Sequence, residues 1–100
     1  MLLEGKVAII TGAGSGIGNG IAKRFAKEGC AVALADIDRA AAKKAVGDIE
    51  REGGRAAAIE CDVTQEAHIN DAVEKTVAAL GPVGIMVNNA GAAGVTKPTF

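Results

Sequence analysis

Four short runs of small, branched residues alternate with three stretches of helical periodicity, and that alternation leaves few folds open to the chain. Residues 6–11, with Val7, Ala8, Ile9 and Ile10, read as a buried strand that ends in a cluster of glycines. A helix is expected from about residue 16 to residue 28, because Ile17, Ile21 and Phe25 recur one turn apart and Gly29 can stop it. Residues 31–36 form the second strand. Asp38 suits the N-cap of a helix carrying Ala42, Val46 and Ile49, which Gly53 and Gly54 end. A weaker third strand covers residues 55–61. Thr64 is expected to cap the last helix, with Ile69, Ala72, Val73, Thr76, Val77 and Leu80 on one stripe. Gly81 and Pro82 end that helix, a fourth strand covers residues 83–88, and residues 90–100 read as loop.

Strands that are apolar throughout suit a sheet covered on both faces. Parallel strands joined by right-handed crossovers then give an α/β, Rossmann-type, doubly wound sheet. Its expected strand order is 3-2-1-4, with the switch point between the first and fourth strands. One hundred residues make one small domain with a thin stability margin. Eleven basic residues against twelve acidic ones, with no basic stripe, argue against nucleic-acid or anionic-membrane partners. The apolar run at residues 31–35 is far too short to span a bilayer, and the first six residues do not resemble a secretory signal. Cys30 and Cys61 lack metal-type spacing, so no metal is expected and a reduced, cytoplasmic chain is the simplest reading. Both thiols suit buried positions, and His68, beside Gln65 and Glu66, suits a solvated surface.

Ligands of open parallel sheets bind beyond the carboxyl ends of the strands. Thr11-Gly12, Asp36, Asp62 and Asn88-Asn89-Ala90-Gly91 fall at those four ends. Glycines in the turn at residues 11–18 let backbone N–H groups approach a ligand, and the following helix points its positive end at the same place. A diphosphate fits there, with Gly12, Ser15, Gly16, Ile17 and Gly18 as candidate contacts and the Ser15 hydroxyl as an added donor. The turn reads T-G-x-x-x-G-x-G, which departs from the widespread G-x-G-x-x-G. Gly18-Asn19-Gly20 also lacks the Lys-Ser/Thr of a P-loop, which disfavours an ATPase. Asp36, beside Ile37, can accept from both adenosine ribose hydroxyls of NAD and would repel the 2′-phosphate of NADP. Neither Ser15 nor Ile37 is basic to offset that repulsion; Arg39 could swing in, but it begins a helix and is expected to face solvent. Capping the next helix is the alternative for Asp36, a role that Asp38 fills better. Asp62, followed by Val63, could accept from the adenine amino group or serve the helix start at Thr64, and both stay open. Asn88 and Asn89 can hold their turn through side-chain to backbone bonds, leaving Ala90 and Gly91 near the cofactor.

Together these motifs resemble the short-chain dehydrogenase/reductase family, over residues 5–91. The resemblance implies an NAD(P)-dependent oxidoreductase that moves a hydride between the nicotinamide and an alcohol or carbonyl carbon. It implies that Gly12, Gly16 and Gly18 shape the diphosphate turn and that Asp36 selects NAD. Asp62 and Val63 would hold adenine, and Asn89, Ala90 and Gly91 would line the ribose side. Gly84 departs from the aspartate usual in the family and puts the start of the fourth strand in question. The family's catalytic serine and Tyr-x-x-x-Lys pair have no match, since the chain has no tyrosine. The expectation is therefore an N-terminal cofactor-binding piece, with no catalytic residue of its own and no turnover by itself. The resemblance leaves a homo-oligomer open. A complete non-catalytic dinucleotide-binding module or pseudoenzyme is the alternative. A flavodoxin-like or receiver domain would need acidic residues where this chain has glycines.

Overall fold

The computed structural model describes residues 2–14 and 16–89. The elements run β1 (Val7–Thr11), α1 (Gly16–Lys27), β2 (Ala31–Asp36), α2 (Arg39–Arg51), β3 (Ala56–Glu60), α3 (Glu66–Leu80) and β4 (Ile85–Val87). All strand pairs are parallel and the sheet order is β3-β2-β1-β4, as the alternation predicts. Val7 lies opposite Ala31 and Ala8 opposite Ile85, so β1 is hydrogen-bonded on both sides.

Side chains on a strand alternate between faces, and here both faces are covered. Ala8, Ile10, Val32 and Leu34 pack toward α1 and α2, where Ala22, Ala42, Ala45 and Ile49 meet them. Ile9, Ala33, Ala35 and Ile59 pack on the opposite face with Ala72 of α3. Ile9, Ile10, Val32 and Leu34 are fully buried, which explains why β1 and β2 read as unbroken apolar runs. β3 and β4 lie at the sheet edges and are only partly buried.

The helix ends follow local chemistry. Asp38 caps α2, its Oδ1 accepting from the Ala41 N–H at 3.1 Å. Gly29 ends α1 at φ +93°, donating to the Ala26 carbonyl at 3.1 Å while Cys30 N–H reaches Phe25. Thr64 does not cap α3. The cap position is Gln65, without a side-chain bond, because the Thr64 hydroxyl is taken by Asp62 Oδ1 at 2.7 Å. Val77 is also off the expected stripe and 44% exposed. At about 100° per residue it lies roughly a third of a turn from the Ala72–Thr76 line that faces the sheet. β1 begins one residue later than residue 6, β3 loses residues 55 and 61, and β4 shrinks to three residues. The β4 ladder starts only where Ile85 meets Ala8; Gly84 contributes one bond, from its N–H to the Val7 carbonyl at 2.9 Å.

Candidate functional site

Parallel order puts the carboxyl ends of the four strands at one rim of the sheet, and there the polar residues of the sequence meet. The turn after β1 is tied down on two sides. Gly12 N–H donates to the Ala35 carbonyl of β2 at 2.8 Å, and the Gly12 carbonyl accepts from the Asn89 side-chain amide at 3.3 Å. Thr11 Oγ1 donates to Asn88 Oδ1 at 3.2 Å, so both asparagines hold the rim through side-chain bonds.

The turn is shaped by contact as well as by conformation. A Cβ at Gly18 would lie 2.2 Å from the Gly12 carbonyl oxygen and 2.6 Å from Asn89 Nδ2, so only glycine fits. Gly16 differs: its surroundings are open, and φ +62° is what favours glycine there. α1 starts at Gly16 with no acidic residue in its first turn, leaving its positive end uncompensated by a carboxylate of that turn. This is a cradle at the positive end of α1, suited to an anion; the Gly12 and Gly14 N–H groups are already bonded to Ala35 and Asp36.

Asp36 joins this turn to the next one. Its Oδ2 accepts from Gly14 N–H at 2.9 Å and its Oδ1 from Asp38 N–H at 2.9 Å. A Cβ at residue 14 would sit 2.9 Å from Asp36 Oδ2 and 2.9 Å from Ala41 Cβ. Gly14 therefore belongs to this rim, a placement that motif spacing alone did not single out. Ile17 and Ile37, 77% and 67% exposed, project as large apolar side chains from the elements that follow β1 and β2.

Asp62 is connected to the rim through its neighbour, since Cys61 N–H donates to the Asp36 carbonyl at 3.0 Å. Its carboxylate accepts from Thr64 N–H at 3.0 Å and from the Thr64 hydroxyl. These bonds hold the Asp62 carboxyl below its ordinary range, with a smaller contribution from the charge of His68. Val63 turns toward the α3-side core, leaving only its backbone at the rim. His68 is exposed as expected, yet its Nδ1 accepts from Asp62 N–H at 3.3 Å. No sequence pattern signals a bond between a ring and a main-chain N–H. Burial pushes both cysteine thiols up, and the two are buried as expected. Ser15, Ala90 and Gly91 lie outside the described residues.

Among the described residues no group of three or more His, Cys, Asp or Glu side chains could hold a metal, and no helix is long and apolar enough to cross a membrane. A hollow lined by Lys6, Val7, Cys30 and Ala31 opens at the opposite end of the sheet, away from the glycine turn.

The sequence profile described as short chain dehydrogenase matches residues 6–99. The 7alpha-hydroxysteroid dehydrogenase of Escherichia coli strain K12 is 47% identical over 92 residues, which is 92% of this chain and 36% of that protein. A crystal structure of hydroxysteroid dehydrogenase from Escherichia coli superposes with TM-score 0.88 at 46% identity, covering 97% of this chain and 41% of that one. A 7alpha-hydroxysteroid dehydrogenase complexed with NADH and 7-oxo glycochenodeoxycholic acid gives TM-score 0.84 at 45% identity, over 86% of this chain and 34% of that one. The chain thus spans a little over one third of the length of these relatives. By the extent of the profile match and its agreement with the fold, the chain belongs to the short chain dehydrogenase family.

Proposed function

We propose that this chain supplies the dinucleotide grip of an oxidoreductase that exchanges a hydride between NAD and an alcohol or carbonyl substrate. The observation that carries the reading is the cradle itself. Gly18 packs against the Gly12 carbonyl, the start of α1 faces the rim, and Asp36 stands at the adjacent strand end. A relative of similar fold was solved with NADH, which supports a nicotinamide cofactor. When bound, the cofactor would accept or donate the hydride. Ser15, Gly16, Ile17 and Gly18 would hold its diphosphate by backbone N–H groups and the helix end, while Gly12, its own N–H bonded to Ala35, would shape the turn. Asp36 and the neighbouring Ile37 would face the adenosine ribose, Asp62 and Val63 the adenine, and Asn89, Ala90 and Gly91 the second ribose. A carboxylate at Asp36 accepts from ribose hydroxyls and repels a 2′-phosphate, which favours NAD over NADP. The residues of this chain bind and orient; the proton to and from the substrate oxygen would need a group that the cradle does not contain.

Titrating NADH and NADPH into the protein and its Asp36→Ala variant tests this reading. NADH affinity should drop in the variant while NADPH affinity holds or improves. Equal losses for both cofactors would remove Asp36 from the ribose, and no binding of either by the unaltered protein would overturn the dinucleotide grip.

A further inference from the structure

We propose that His68 is a positioning residue for Asp62, holding the β3–α3 turn only while its ring is neutral, so that NADH affinity declines on acidification through this one side chain. The inference rests on the reading of Asp62 as an adenine acceptor.

The turn at residues 61–68 is closed by a ring of bonds. Asp62 N–H donates to His68 Nδ1 at 3.3 Å, the Cys61 thiol donates to the His68 carbonyl at 3.7 Å, and Gln65 N–H donates to the Asp62 carbonyl at 2.9 Å. Asp62 is thus held at three places, its N–H by His68, its carbonyl by Gln65 and its carboxylate by Thr64. A ring nitrogen that accepts from an N–H carries no proton. Imidazolium has donors at both nitrogens, so protonation ends the bond to Asp62 N–H. The same proton places a cation beside the Asp62 carboxylate, where it competes with Thr64 and with any adenine amino group for the acceptor oxygens. Both effects point the same way: Asp62 loses the bond on its N–H, and its free lone pairs are drawn toward the ring.

Among the described residues, the other titratable groups around this turn include the Cys61 thiol, Asp62, Asp71 one turn along α3, Glu66 in its first turn, and Glu60 and Asp36 beside Cys61. The Cys61 thiol is pushed up by burial first and then by the charges of Asp62 and Asp71. Between about pH 5.5 and 8, ordinary carboxylates remain ionised while imidazole changes charge. The ring of His68 is therefore the group of this turn at which a proton would end the bond to Asp62 N–H.

His68 is the sequence's one histidine, so its ring signals in a nitrogen-15 spectrum are unambiguous. NADH affinity is measured by fluorescence from about pH 8 to 5.5 for the unaltered chain and for His68→Asn, His68→Ala and Asp62→Ala. The unaltered chain should weaken by about three- to tenfold across the interval, the worth of one hydrogen bond. His68→Asn, whose Oδ1 accepts without titrating, should match the unaltered chain at the alkaline end and stay flat. His68→Ala should be weaker at the alkaline end and equally flat. A flat profile for the unaltered chain, or an undiminished slope in either His68 variant, overturns the proposal. If Asp62→Ala leaves NADH affinity unchanged while the spectrum shows an unprotonated Nδ1, the proposal fails at the adenine contact and not at the His68 bond.

Discussion

The side-chain amide of Asn89 donates to the carbonyl of Gly12 at 3.3 Å, across 77 positions of sequence. That oxygen is also the atom a Cβ at Gly18 would strike, so one backbone carbonyl is enclosed by β4, the glycine turn and α1 together. Replacing Asn89 by Ala leaves the carbonyl to water. A loss of about 1 kcal/mol is expected, the net worth of such a bond. Denaturant unfolding reads it as a lower midpoint with an unchanged slope.

Two glycines of α1 should respond to alanine in opposite directions. At Gly18 the added methyl meets a backbone oxygen that cannot swing aside, and overpacking of this kind costs roughly 1–3 kcal/mol or more. At Gly20 nothing lies within 4 Å of the added methyl, so the helix gains about 0.5–1 kcal/mol. Thermal unfolding of the two variants should therefore bracket the parent. Similar shifts for both would show that the Gly18 contact is not what confines the position.

Acid should release the β3–α3 turn. The Asp62 carboxyl is lowered by its bonds to Thr64, and Asp48 is lowered first by its hydrogen bond to Lys23. A carboxyl lowered in the folded state contributes stability above its unfolded value, and that stability is lost as pH falls through the folded value. The loss therefore begins below about pH 4, where an unfolded aspartate protonates. Stability measured from neutral pH downward should fall less steeply in Asp62→Asn and in Asp48→Asn than in the parent. An unaltered acid slope in both variants would contradict the assignment.

Cys30 and Cys61 should resist thiol reagents in the folded chain. Both are buried, and burial raises both thiols and depletes the reactive thiolate. Labelling at neutral pH should track unfolding and become fast in denaturant. Rapid labelling of either under native conditions would show that its strand end opens freely.

The sheet was legible in the sequence because its determinants are repetitive. β2 spans the residues expected of it, since every one of its side chains up to Ala35 meets a covered face and its polar end, Asp36, marks the rim. Strand order followed from the same alternation. The edges were harder to read: Val83 and Asn88 are as apolar or as turn-like as their neighbours, and only the register with Ala8, Ile9 and Ile10 limits β4 to three residues. The start of α3 misled for a chemical reason. Asp62, Thr64 and Gln65 all carry side-chain oxygens, and the short Asp62–Thr64 bonds won over a cap. Gly14 and His68 were invisible because their partners, a carboxylate 22 positions on in sequence and a main-chain N–H, leave no mark on spacing.

Asp36 spends one oxygen on Gly14 and the other on Asp38. The residue to which we assign nucleotide preference is thus also the clasp between two loops. A descendant that exchanged this carboxylate to welcome a different nucleotide would have to refasten residues 12–14 and 36–38 in the same step. On that assignment, cofactor preference and loop architecture are coupled at this position, and a change there meets both.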